Sequence, residues 1–251
     1  MRRYTRAGFV GLVVLAAASS ACEKKAVESS SPTVAPPEPA PVASTAAPGR
    51  VNPRDVSGNY KILSAANPGG GGGYSGTVAI TKQGDHYQLV WTIGDDPPYR
   101  GVGLVMGQVF GVGWGLGDAY GVAIYKVSGG SLDGRWATSR SQGRAGTEKL
   151  SGPAGLNGTY QITEGKDGDA LQPYTGTVTI KPSGKVYQVT WTLPSESYSG
   201  VGILDGEIFS VGWGSAGKGA GAVMYEVGET LDGKWAQPDG TALGSEVLGK
   251  L

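Results

Sequence analysis

The chain has 251 residues, 39% of them hydrophobic, which is ample for packed cores. Its 45 glycines exclude long helices, since each interior glycine costs about 1 kcal/mol against alanine, and the lack of a Gly-X-Y register excludes collagen. Basic and acidic residues both number 21, but Arg2, Arg3 and Arg6 lie in a segment expected to be removed, which leaves a net charge of about −3; with the other Lys and Arg scattered, nucleic acid is excluded as a partner.

In chain order, the three arginines precede "GFVGLVVLAAA", too short for a stable membrane anchor and suited to a signal-peptide core over residues 1–21. "SSAC" follows. Ser19, Ser20 and Ala21 before Cys22 resemble a bacterial lipobox, with Ser19 where leucine is usual; the resemblance implies cleavage before Cys22 and a diacylglycerol on its sulfur. A cysteine with no second cysteine to pair with fits lipidation better than an exposed thiol in an exported protein. Residues 22–54 are rich in Pro, Ala and Ser, with Pro32, Pro36, Pro37, Pro39, Pro41 and Pro48 favouring extended polyproline II. They read as a tether several nanometres long.

From Gly58 the sequence repeats itself at an offset of 98 to 100 residues, with about a third of positions identical. "GNYKI" answers "GTYQI", "YQLVWTI" answers "YQVTWTL", and "SLDGRWA" answers "TLDGKWA". The reading assigns one module to 55–150, a short linker to 151–155 and a second module to 156–251. Apolar residues alternate: Tyr87, Leu89, Trp91 and Ile93 share one strand face, as do Tyr187, Val189, Trp191 and Leu193. Eight short strands are expected in the first module, near 58–63, 74–82, 86–93, 99–105, 108–114, 121–127, 131–137 and 146–150. The fold class is all-β: two tandem up-and-down antiparallel barrels of avidin or lipocalin style, whose short strands suggest a narrow interior filled by side chains, with a β-sandwich as the alternative.

"FGVGWG" at Phe110–Gly115 recurs as "FSVGWG" at Phe209–Gly214. Phe110, Val112 and Trp114 point one way and the glycines leave the other face bare, so close packing is the first reading. All six tryptophans, Trp91, Trp114, Trp136, Trp191, Trp213 and Trp235, occupy repeated positions; they are the candidate binding aromatics, with core packing as the preferred role. Asp133, Asp232, Glu148 and Glu246 read as solvated strand, turn or edge charges. His86, replaced by Val186 in the second copy, reads as a solvent-facing or hydrogen-bonded structural histidine without the partners of a catalytic triad. "NPGGGGGY" at Asn67–Tyr74 lacks the lysine and the following helix of a phosphate loop and reads as a hairpin connection. No catalytic residue, metal site or cofactor is expected.

The set of motifs GxY, YxGxVxI, YxxxW, VGWG and LDGxW resembles a family of exported bacterial proteins, some labelled fibronectin-binding. The resemblance implies a fold and supplies no functional residues to carry over. The expectation is a non-enzymatic lipoprotein anchored through Cys22, at the outer membrane by preference, that displays two β-modules to an extracellular or envelope protein such as fibronectin. A carrier with a small-ligand site at each barrel mouth and an envelope protein without a specific ligand are the alternatives; the oligomeric state is open.

Overall fold

The computed structural model describes residues 55–115, 117, 119–215 and 220–251. The expected signal peptide, Cys22 and the tether lie outside the described residues. The first repeat forms β1 (Gly58–Ala66), β2 (Gly76–Gln83), β3 (His86–Ile93), β4 (Tyr99–Met106), β5 (Val109–Gly115), β6 (Tyr120–Ser128), β7 (Ser131–Thr138) and β8 (Gly146–Ser151). The second forms β9 (Gly158–Lys166), a two-residue β10 (Pro173–Tyr174), β11 (Thr177–Ser183), β12 (Val186–Thr192), β13 (Ser197–Asp205), β14 (Ile208–Ser215), β15 (Ala220–Val227), β16 (Leu231–Ala236) and β17 (Gly244–Lys250). The strands arise where apolar residues alternate. Two-residue loops at Gly84–Asp85, Gly107–Gln108, Gly184–Lys185 and Gly206–Glu207 join several of them, each with glycine at positive φ in the first loop position, which matches the twist of an antiparallel hairpin.

Two closed antiparallel barrels of eight strands result, so the sandwich alternative is set aside. Their membership departs from the repeat boundaries. One barrel, here the outer barrel, runs β1-β2-β3-β4-β5-β15-β16-β17 and closes by pairing β17 with β1. The other, the inserted barrel, takes the continuous stretch from β6 to β14, with the two-residue β10 paired to β9 alone and outside the ring of eight, and closes by pairing β14 with β6. Residues 151–155, expected to link two modules, instead connect β8 to β9 inside the inserted barrel. The physical reason is that equivalent strands of a duplicated sequence offer the same register and face pattern. β5 can therefore pair with β15, the counterpart of β6, as well as with β6 itself.

The exchange places the bare face of "FGVGWG" at the junction of the barrels. A Cβ on Gly113 would lie 1.9 Å from the Gly121 carbonyl oxygen and 3.2 Å from the Gly212 Cα; one on Gly212 would lie 1.9 Å from the Gly221 carbonyl oxygen. Only glycine lets the two backbones approach this closely. Around this contact, outward-facing Val102 and Leu104 pack with Val122 and Ile124, and Val201 and Ile203 pack with Ala222 and Met224. The junction is thus apolar on both sides of the glycines. The β7–β8 and β16–β17 loops extend it, since Gly143 of the first accepts a hydrogen bond from the Asp85 backbone N–H at 2.7 Å, and Thr241 of the second accepts one from the Lys185 backbone N–H at 2.8 Å.

Candidate functional site

Each barrel has one filled end and one hollow end. In the outer barrel Phe110 stacks on Tyr225 with centroids 6.0 Å apart, and Val105, Val227 and Leu231 complete the filled part. The opposite end holds a cavity of about 280 Å³ lined by Trp91, Trp114, Trp235, Tyr74, Tyr99 and Glu246, among others. The inserted barrel repeats the arrangement around about 460 Å³ with Trp191, Trp213, Trp136, Tyr174, Tyr198 and Glu148. The expectation of interiors filled by side chains is corrected here: rings at these ends stand edge-on to one another and line a hollow. The geometry is nearly the same twice, with Trp114–Trp235 and Trp136–Trp213 both 6.2 Å apart and inclined by 69° and 71°.

All six tryptophans face these two cavities, and each cavity draws on both repeats. Trp91 and Trp114 come from the first repeat, while Trp235 and Glu246 come from the second. Trp136 and Glu148 cross in the opposite sense. Packing and site lining therefore coincide in the same rings: Trp91, Trp191 and Trp235 are buried and the other three are partly buried. The link between β1 and β2 that holds "NPGGGGGY" is a hairpin connection, as expected, and it delivers Asn67 and Tyr74 to the cavity.

Glu148 and Glu246 are the residues that the sequence reading misplaced. Expected at the surface or edge, each is only 2% exposed and points inward from the last strand of its repeat. Glu246 accepts hydrogen bonds from the Tyr225 hydroxyl, from the Tyr74 hydroxyl at 3.0 Å and from Trp91 Nε1 at 3.2 Å. Glu148 accepts from Tyr125 at 2.5 Å, Tyr174 at 2.9 Å and Trp191 Nε1 at 3.3 Å. Burial raises the pKa of both carboxyls above the ordinary glutamate range, and the three donors offset that only in part. Burial first and the adjacent carboxylate second push Tyr74, Tyr125, Tyr174 and Tyr225 well up, so these hydroxyls keep their protons and donate at neutral pH.

The signal that could have revealed this lies in "GTEKL" and "GSEVL": Glu148 and Glu246 fall in step with Leu150 and Leu248, on the inward face of the strand. Asp133 and Asp232, by contrast, are exposed, as expected from their alternation with the tryptophans. The solvent-facing alternative is corrected and the hydrogen-bonded structural one is kept for His86. It is fully buried, its Nε2 lies 3.5 Å from Gln88 Nε2, Nδ1 has no partner, and desolvation lowers its pKa. It sits on the outward face of β3, away from both cavities.

The cavities differ in ways that follow from substitutions between the repeats. Ala123 and Thr138 in the larger stand where Val223 and Gln237 narrow the smaller. Trp235 Nε1 donates to the Ala66 carbonyl at 3.2 Å, while Trp136 Nε1 has no protein partner. Among the described residues no three His, Cys, Asp or Glu side chains gather in a way that could hold a metal ion. Aromatic walls around a hydrogen-bonded carboxylate are suited to holding an organic molecule by stacking and one polar anchor. Compared with protein-family models, curated proteins and solved structures, the chain finds no match.

Proposed function

We propose that the protein is a non-catalytic, membrane-tethered receptor or carrier with two small-ligand sites, one in the hollow end of each barrel. The observation that carries this reading is the doubled cavity, in which all six tryptophans and a buried, three-fold hydrogen-bonded glutamate recur at equivalent places. Volumes of about 280 and 460 Å³ lie just below and within the lower part of the range typical of small-molecule pockets. The tether rests on the lipobox-like "SSAC" and the proline-rich segment behind it. Display of a protein-binding face would call for an apolar patch repeated on both barrels. The exposed large apolar residues among the described ones are Leu63, Leu171 and Leu251, which occupy no equivalent positions. This supports placing the binding role in the interiors.

Because every tryptophan lines a cavity, intrinsic fluorescence reports ligand entry without a label. The mature chain exposed to a small-molecule extract and examined by native mass spectrometry is expected to retain up to two adducts, with a saturable change in tryptophan emission. Replacing Trp114 and Trp213 together by alanine should abolish both signals. Absence of any adduct, or adducts indifferent to the double substitution, refutes the reading.

A further inference from the structure

We propose that the ligand of these sites, taking the small-ligand reading as given, is an organic ammonium ion that carries at least one N–H and an apolar or hydroxylated body. Three independent features of the cavities converge on this class. The first is the charge of the lining. Among the described residues the smaller cavity is lined by Glu246 and Asp96 and by no Lys, Arg or His. Among the described residues the larger is lined by Glu148, Asp167, Asp169 and Glu196 against a single basic residue, Arg140. Asp96 and Glu196 both lie in the loop that follows the strand of Trp91 or Trp191, so each mouth carries an acidic residue although the two loops differ in sequence and by one residue in length.

The second feature is the aromatic enclosure. Three tryptophans surround each hollow, with two tyrosines in the smaller and three in the larger, several of these rings meeting edge to face at 5.0 to 6.2 Å. Ring faces attract a cation most strongly where water is excluded, and tryptophan is the best of the aromatic partners. The third is the acceptor count at the buried carboxylate. A carboxylate offers about four lone-pair sites, and three are taken. Trp91 and Tyr225 share Oε1 of Glu246, while Tyr74 alone bonds Oε2; Trp191 and Tyr125 share Oε2 of Glu148, while Tyr174 alone bonds Oε1. One acceptor site therefore remains in each barrel, on the oxygen bonded by the tyrosine of the β1–β2 or β9–β11 connection. A single N–H of the ligand completes it.

The electrostatic sense agrees with this count. A carboxylate held in a low-dielectric pocket lacks a counter-charge, and an entering ammonium supplies it while the rings replace its water. A neutral sugar could stack on the same rings and donate to the same oxygen, but it would leave the acidic mouth and the buried charge uncompensated.

The test uses three probes of nearly equal shape: protonated dimethylethanolamine, with charge and N–H; choline, with charge and no N–H; and 3,3-dimethylbutan-1-ol, with neither. Each is titrated into the full mature chain, with glucose as a fourth probe, and followed by tryptophan emission and calorimetry. Dimethylethanolamine should bind at least tenfold tighter than the neutral alcohol, with choline between them. Glu246→Gln and Glu148→Gln should each remove that preference at one site. Should either fail to fold, Asp96→Asn and Glu196→Gln at the exposed mouths should weaken the amine severalfold and leave the alcohol unchanged. Equal binding of amine and alcohol, or no binding of any ammonium probe, overturns the inference. If glucose or the alcohol binds in that event in a manner sensitive to Trp114→Ala, the small-ligand reading stands and only the ligand class falls; if adducts from the extract are absent as well, both fall.

Discussion

Replacing Gly113 by alanine tests the junction on which both sites depend. The new methyl carbon would stand 1.9 Å from the Gly121 carbonyl oxygen, more than 1 Å inside an ordinary van der Waals contact, and 3.2 Å from the Gly212 Cα. Both neighbours are backbone, so no side chain can rotate away and the barrels must separate locally. Overpacking of this kind costs up to about 3 kcal/mol. The lower chain entropy of alanine returns at most about 1 kcal/mol, which leaves roughly 2 kcal/mol of destabilisation. For a domain of this size the melting temperature should fall by about 4 to 8 °C in calorimetry or circular dichroism. Gly212→Ala should behave alike, because its Cβ meets the Gly221 carbonyl at the same 1.9 Å. Gly72→Ala is the control: no atom lies within 4 Å of its Cβ, and a change within about 1 °C is expected. Gly113→Ala indistinguishable from that control would refute the inter-barrel contact.

Further consequences can be checked separately. In a background with Cys22 replaced by serine, cysteines at Val109 and Glu226 should form a disulfide on oxidation because they face each other across β5 and β15; cysteines at Val109 and Lys126 should not, and the reverse outcome would mean that each repeat closes on its own strands. Tyr225→Phe and Tyr125→Phe each remove one of three donors to a buried carboxylate and should lower stability by about 1.5 to 3 kcal/mol in denaturant titrations; an unchanged midpoint would count against the network. The two buried glutamates have raised pKa values, so the folded state holds their protons more tightly than the unfolded state. Their stabilising contribution is complete below the ordinary glutamate value of 4.5 and fades as pH rises through the folded value. Buried His86 acts in the opposite sense as pH falls through 6.5 and below. The readout is therefore the difference in melting temperature between wild type and Glu148→Gln/Glu246→Gln, which should move in favour of wild type from pH 7.5 to 5; a difference independent of pH contradicts the assignment.

Because the outer barrel is interrupted by the whole of the inserted one, and both share the apolar junction, unfolding should occur in one cooperative transition. Two well-separated calorimetric peaks would show that the barrels are energetically independent.

The alternation of Tyr87, Leu89, Trp91 and Ile93, the glycine-led turns and the internal repeat were enough to read eight-stranded antiparallel barrels from the chain alone, because side-chain period and turn chemistry are local properties. Which copy of a strand pairs with which was not legible. β6 and β15 present equivalent faces to β5, so the local pattern does not distinguish them, and the contact of Gly113 with Gly121 and Gly212 joins residues brought together only in the folded chain. For the same reason Trp91 and Glu246, 155 residues apart, could not be placed at one site from either repeat alone. Alternation sent Glu148 and Glu246 to the inner face, but their acidic character argued for the surface. Tertiary structure decided between these, since only a closed barrel brings two tyrosine hydroxyls and an indole N–H around a carboxylate and so makes its burial tolerable.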